Sequence, residues 1–233
     1  MNNLQEFSGM NSSVIKDFST NSKVLLITFG GIYGGSGIPV FEFFNMASQF
    51  SVNKMFIRDL NQAWYQKGIK NPDIKNIDGM VTFLKHKIQE SNAQKVVMVG
   101  NSAGGFAALL FGNLLNVDVV HSFAPQTFID RKNRTLHSDT RWFKQISELY
   151  NDDSLTEDYF DLYKVFDKNK TNTKTQYHIY YDGNHKLDRI HSERLGKFHN
   201  IKLFKYIDGG HNVIKHMKEN GDLLELLKQS LET

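Results

Sequence analysis

The stretch Val96-Val97-Met98-Val99-Gly100-Asn101-Ser102-Ala103-Gly104-Gly105-Phe106-Ala107-Ala108-Leu109-Leu110 constrains this chain more than any other part of it. A β-branched apolar run breaks at Gly100, and Phe106, Leu109, Leu110 and Leu114 follow at helical spacing. A buried strand therefore passes through a tight turn into a helix. The turn carries Gly100-Asn101-Ser102-Ala103-Gly104, a G-x-S-x-G pattern in which the serine occupies a strained elbow and its hydroxyl points away from the sheet. A side chain at position 100 or 104 would collide with the neighbouring strand or helix as the backbone doubles back. Three fixed positions in five recur by chance, and an ordinary Gly-rich turn can close a strand. The order strand, turn, helix is the stronger sign of a serine nucleophile.

The same alternation runs through the chain from residue 23 onward. Lys23 to Phe29 reads as a strand buried on both faces, Asn53 to Asp59 as another, and Ile77 to Glu90 as a helix that covers the sheet, with Asp78 in its first turn and Lys85 and Lys87 in its last. Val117 to Phe123, Gln176 to Tyr181 and Asn200 to Ile207 supply later strands, the last alternating like an edge strand. Asp188 to Leu195 reads as a helix, as do Asn212 to Lys218 and the leucine-rich stretch after Gly221. Residues 1 to 22 are polar and predict a weak edge hairpin or a loop. The expected fold is α/β, a mostly parallel sheet of six to eight strands with helices on both faces. At 233 residues and 40% hydrophobic, the chain fits a single domain spanning 1–233. Residues 130 to 175 are charged and aromatic and carry no sheet-forming strand, which predicts a helical cap-like insertion over the site, or else an excursion whose aromatics only anchor it.

Composition narrows the function classes. Twenty-eight basic against 25 acidic residues leave a formal charge of +3 with no basic run interleaved with aromatics, so no nucleic-acid surface is expected. The absence of cysteine excludes disulfides, thiolate zinc sites and a cysteine nucleophile. The opening residues lack the blocks of a signal peptide and no apolar run approaches a membrane span, which predicts a soluble, cytoplasmic protein. Gly30-Gly31-Ile32-Tyr33-Gly34-Gly35-Ser36-Gly37 invites a nucleotide reading, but it holds neither a P-loop Gly-Lys-Ser/Thr nor G-x-G-x-x-G before a helix.

Ser102, an acid after a later strand and a histidine after the last strand follow the order nucleophile, acid, base. A serine hydroxyl needs an imidazole to take its proton, and the imidazole needs a carboxylate to fix its tautomer. His211 is the expected base, because Gly209-Gly210-His211 places it on a turn at a strand end. Two aspartates flank the preceding loop. Asp182 stands beside Gly183-Asn184, a turn it would cap, and Asp188 is preferred as the acid, although it could instead cap a helix. The oxyanion hole is expected from the backbone N–H groups of Ala103 and of Gly31 or Ile32. Tyr33, Asn101, Gln126 and Trp142 are candidate pocket residues. Trp64 and Tyr65 either wall that pocket or pack on the core. Arg131, Arg134 and Arg141 with Trp142 either bind a sugar or anionic polymer or are surface charges on a cap. His185, Asp188 and His191 have ligand-like spacing, yet Asp188 has the better use in the triad order, so neither metal nor organic cofactor is expected.

From Lys23 to its end the chain resembles the α/β-hydrolase superfamily. Gly-Asn-Ser-Ala-Gly-Gly, Ala124-Pro125-Gln126, Asp188-Arg189-Ile190-His191 and Gly209-Gly210-His211 resemble small bacterial members around capsular-polysaccharide O-acetyltransferases. The resemblance implies Ser102 as nucleophile, Asp188 in an Asp-x-x-His segment as acid and His211 as base. The histidine of the lipase-type H-G-G-G loop is absent, with Phe29 preceding Gly30-Gly31. The reading that follows is a serine-dependent esterase working through an acyl-enzyme on a small-molecule or glycan ester. The alternatives are an O-acyltransferase using acyl-CoA and a non-catalytic binding module on the same scaffold.

Overall fold

A computed structural model describes residues 12–33, 41–172 and 174–232. The described strands are β1 (Val14–Asp17), β2 (Val24–Phe29), β3 (Asn53–Ile57), β4 (Lys95–Asn101), β5 (Val119–Phe123), β6 (Gln176–Asp182) and β7 (Ile201–Tyr206). They form one sheet in the order β1-β3-β2-β4-β5-β6-β7. Only β1 runs antiparallel to its neighbour, β3; the other pairs are parallel. Residues 12–22 therefore contribute an edge strand, and the rest of the amino-terminal expectation lies outside the described residues.

The helices are α1 (Phe44–Ala47), α2 (Ile77–Glu90), α3 (Ala103–Leu115), α4 (Arg131–His137), α5 (Phe143–Tyr150), α6 (Leu162–Lys168), α7 (Lys186–Glu193), α8 (Val213–Glu219) and α9 (Asp222–Leu231). The central strands are apolar throughout because each feeds two cores. Leu25, Ile27 and Phe29 of β2 and Val96 and Met98 of β4 join α2, α3 and α6 on one face. Val24 and Leu26, with Val97 and Val99, join α1, α8 and α9 on the other. That is the period-two alternation of a strand covered on both sides. Helix α3 lies deepest, with every residue from Ala103 to Asn113 buried, which explains why its sequence is apolar all round. Helix α2 starts where its first-turn pattern said it would: the Asn76 side chain accepts the N–H of Gly79 at 2.8 Å.

Two expectations change in detail. The described part of the segment 130 to 175 carries α4, α5 and α6, and α6 is a layer element: it packs on α3 and buries Leu162, Val165 and Phe166 in the main core. It is the crossover that a parallel β5–β6 pair requires. Helix α7 begins two residues before Asp188, because the side chain of His185 caps it. No helix among the described residues is long and apolar enough to cross a membrane.

Sheet order positions the site. The chain leaves β2 toward β3 and returns to the other side of β2 as β4, so a crevice opens between the carboxyl ends of β2 and β4. Such a reversal point is where open α/β sheets gather ligands.

Candidate active site

Ser102 sits at that crevice with φ 53° and ψ −115°, a conformation that side chains avoid and that costs on the order of 1–3 kcal/mol. Its surroundings impose it. Ser102 N donates to Phe123 O at 2.8 Å, while its carbonyl accepts Phe106 N at 3.0 Å in the first turn of α3. The flanking glycines make the turn possible: a Cβ at Gly100 would stand 2.0 Å from the Gly104 carbonyl oxygen, and one at Gly104 would stand 2.1 Å from that of Phe29.

His211 arrives on the 3-10 turn Gly210–Asn212 ahead of α8. Its Nε2 lies 3.1 Å from Ser102 Oγ, and its Nδ1 lies 2.8 Å from Asp188 Oδ2 and 3.0 Å from Oδ1. With Nδ1–H donating to the carboxylate, Nε2 is left to accept the serine proton. Asp188 is fully buried in the first turn of α7. The capping position it could have taken is filled by His185, whose Nδ1 accepts the Asp188 N–H at 3.3 Å. Burial pushes the Asp188 carboxyl up, but the hydrogen bond to His211 and the electrostatic attraction of His211, His185 and Arg141 outweigh it and leave the group below its ordinary range.

Asp182 has a different task. It is 2% exposed, and its Oδ1 accepts Asn184 N at 2.7 Å, as a turn aspartate does. Its Oδ2 also accepts Gly209 N at 2.8 Å and Gly210 N at 2.5 Å, so it ties the end of β6 to the turn that carries His211. The sequence offers no sign of that second role.

Ala103 N–H opens α3 and has no partner within the helix. Gly31 N–H is engaged: it donates to Glu42 Oε1 at 3.2 Å. Burial raises the Glu42 carboxyl to about 7, against the bonds from Gly31 and Asn101 that favour its charge. Glu42 was not anticipated, and the only local sign of it is an acid inside the aromatic run Phe41-Glu42-Phe43-Phe44. It borders a cavity of about 460 Å³ that Phe43, Phe44, Asn101, Asn212 and Lys215 also line, with Asn101 and Asn212 adjoining the serine and the histidine. Ile32 is half-buried and Tyr33 is 44% exposed beside it.

Trp64 and Tyr65 are fully buried and pack in the core. Trp64 Nε1 donates to Oε1 of Gln126, itself buried, at 3.2 Å, and Tyr65 Oη donates to the Gly30 carbonyl at 2.9 Å, underneath the loop that bears Gly31. Trp142 is half-buried against the same core. Arg134 and Arg141 turn inward, whereas Arg131 is exposed. Arg134 is buried and bonds the Arg141 carbonyl at 2.8 Å, Arg141 grips Asp139 and Asp188, and Arg131 lies 4.1 Å over the Tyr150 ring. His191, far from sharing a ligand face with Asp188, is buried with Nδ1 accepting Thr127 N at 2.9 Å and Nε2 at 3.0 Å from Asp139. The grouping with ligand-like proximity among the described residues is instead His185, Asp188 and His211, whose atoms lie within 4.8 Å of one another. Hydrogen bonds within the group, and from Arg141 to Asp188, account for it.

The capsule O-acetyltransferase of Neisseria meningitidis serogroup A matches with a TM-score of 0.68 at 18% identity, over 94% of this chain and 92% of that one. Carboxyl esterase 2 of the fungus Tuber melanosporum matches at 0.60 and 14% identity, over 94% and 80%. Brefeldin A esterase, a bacterial homologue of human hormone-sensitive lipase, matches at 0.58 and 13% identity, over 91% and 71%. This is the α/β-hydrolase fold. No family model and no curated protein matches the sequence. At these identities the likeness establishes the α/β-hydrolase architecture, and the roles of individual residues rest on their own geometry.

Proposed function

We propose that this α/β-hydrolase-fold chain is a serine-dependent esterase acting through an acyl-enzyme, with Ser102 as nucleophile, His211 as base and Asp188 as its orienting acid. The observation that carries the reading is the unbroken chain of contacts from Ser102 Oγ through His211 to Asp188, at the reversal point of the sheet and beside a cavity. His211 Nε2 takes the hydroxyl proton as Ser102 Oγ bonds the ester carbonyl carbon, and the carbonyl electrons move onto its oxygen. Ala103 N–H faces that oxyanion, with Ile32 N–H, or Gly31 N–H once Glu42 turns aside, as the second donor. Collapse expels the alcohol, which leaves with the proton from His211. Water then repeats the sequence and releases the acid.

A second reading, O-acyl transfer from an acyl-CoA to a glycan hydroxyl, is favoured by the likeness to a capsule O-acetyltransferase over nearly the whole of both chains. The chemistry at Ser102 is the same, and the acceptor differs. A fluorophosphonate probe should label the wild type and not Ser102→Ala. A chromogenic acetyl ester and acetyl-CoA, each with and without candidate glycans, separate the readings. Acetate release independent of glycan supports the esterase, and glycan-dependent consumption of acetyl-CoA with little free acetate supports the transferase. No labelling of Ser102 leaves only a binding module.

A further inference from the structure

We propose that Arg141 is a positioning residue for the reaction, delivered by the turn between α4 and α5 to clamp Asp188 and to set the charge that His211 meets. The proposal rests on the catalytic reading of Ser102, His211 and Asp188. Arg141 Nη1 donates to Asp188 Oδ1 at 3.0 Å, while Nε and Nη2 reach Asp139 Oδ1 at 3.0 Å and Oδ2 at 2.8 Å. One planar fork thus bridges two carboxylates, a geometry that lysine cannot reproduce. Both carboxylates are fully buried, and the arginine side chain is 21% exposed.

Asp139 is itself fixed. The Arg141 N–H donates to its Oδ1 at 3.0 Å, His191 Nε2 lies 3.0 Å from its Oδ2, and Arg134 stands 3.8 Å away. The bonds from His191 and Arg141 overcome burial and hold the Asp139 carboxyl far below its ordinary range. Burial brings His191 down to about 4, so it stays neutral near pH 7 and adds no charge. The turn is bounded by Ser138 at φ 53° and Trp142 at φ 54°, left-handed positions for residues other than glycine. Strain of this kind persists where the surroundings over-determine the backbone, and it concentrates at working sites. An arginine on a surface loop would need neither the strain nor the second carboxylate.

The titratable and charged groups around the base follow. His211, His185 and Arg141 face Asp188; Arg141, Arg134 and His191 face Asp139; Asp182 acts on the His211 turn through Gly209 and Gly210. A guanidinium on Asp188 Oδ1, the oxygen that His211 Nδ1 also approaches at 3.0 Å, opposes the positive charge that His211 gains when it takes the serine proton. It also fixes which carboxylate face the imidazole meets. Removing it frees the carboxylate to rotate and favours the protonated imidazole.

The test measures kcat, KM and the pH profile of chromogenic acetyl ester hydrolysis for wild type, Arg141→Ala and Arg141→Lys. Fluorophosphonate labelling and thermal unfolding of each run alongside. For Arg141→Ala we expect kcat to fall about tenfold to a hundredfold with KM little changed, in line with what a small misplacement of a catalytic group costs. The acid limb of kcat/KM should move to higher pH, and added guanidinium ion should recover part of the rate. Arg141→Lys, which keeps the charge but bridges only one carboxylate, should lose rate while its acid limb stays near that of the wild type. A folded Arg141→Ala with wild-type kcat overturns the proposal. So does a loss of rate in both variants with an unmoved acid limb and no rescue by guanidinium, which is what a merely structural arginine would give. If Arg141→Ala does not fold, the wild-type rate in Arg141→Lys overturns it in the same way. Failure of the wild type to label at Ser102 is a separate result and removes the catalytic reading itself.

Discussion

Asp182→Asn tests whether the carboxylate beneath the His211 turn supports the site without belonging to the chemistry. Asp182 accepts three backbone N–H groups, from Asn184, Gly209 and Gly210, and is 2% exposed. Bonds to a charged acceptor are worth about 1.5–3 kcal/mol each, against about 1 kcal/mol for a neutral one. An asparagine keeps one acceptor oxygen. If that oxygen serves the glycine pair, two bonds lose their charge assistance, about 0.5–2 kcal/mol each, and Asn184 N–H meets an amide NH2 in place of an acceptor and loses a bond of about 1.5–3 kcal/mol, a total loss of about 2.5–7 kcal/mol. For a chain of this length that is a drop in Tm of roughly 5–28 °C. Burial raises the Asp182 carboxyl, but the three N–H groups and His185 outweigh it and hold it below its ordinary range. A depressed carboxyl stabilises the fold above its unfolded value, near 4, and loses that contribution as pH falls through its folded value. The Tm gap between wild type and variant should therefore be full at pH 6 and shrink below about pH 4. With the histidine turn loosened, kcat should fall about tenfold to a hundredfold. Asp188→Asn, which removes the carboxylate partner of His211 Nδ1, should lose about 10⁴-fold in kcat. Thermal unfolding across pH and ester hydrolysis for both variants decide it. A Tm for Asp182→Asn within 2 °C of wild type refutes the bond accounting. A larger loss of kcat in Asp182→Asn than in Asp188→Asn would reverse the two roles.

Glu42, raised to about 7 by burial, binds a proton in the folded chain that the unfolded chain releases near 4.3, so stability should decline from about pH 4.5 to 7. Glu42→Gln should remove that decline in melting scans; an unchanged slope would place the titration elsewhere. Gly104→Ala puts a methyl 2.1 Å from the Phe29 carbonyl oxygen, where neither backbone can yield, and should cost more than about 3 kcal/mol or prevent folding. A soluble variant with wild-type Tm would contradict the close approach of β2 and α3. Trp64→Phe leaves the Gln126 carbonyl oxygen without its donor in a buried setting and should lower stability by about 1–3 kcal/mol with kcat/KM for a small ester unchanged. A rise in KM with no change in stability would return Trp64 to the pocket wall.

Much of this architecture is carried by short-range pattern. Strands covered on both faces must be apolar throughout, and helices that cover a sheet must show a stripe, so β2, β4 and α2 are legible within windows of a few residues. The elbow is legible for the same reason, since the steric demand at Gly100 and Gly104 comes from residues close in sequence or from the strand next door. The order Ser102, Asp188, His211 could be read because each follows a strand, and parallel strands bring their carboxyl ends to one edge.

The sequence alone thus determined the strand-and-helix alternation and the residue types gathered at one edge of the sheet, because steric and hydrophobic periodicity act locally. Tertiary structure alone decided which charges meet there. Arg141 and Asp188 are 47 residues apart, and His191 and Asp139 are 52 apart. Nothing in the local pattern of an arginine distinguishes a buried clamp from a solvated surface charge. The same holds for Glu42 on Gly31 N–H, for Asp182 under the histidine turn, and for Trp64 and Tyr65, whose aromatic rings suit a pocket wall and a core equally until the loop closes over them. Desolvation and pairing are properties of a position in space, and only the packed chain assigns them.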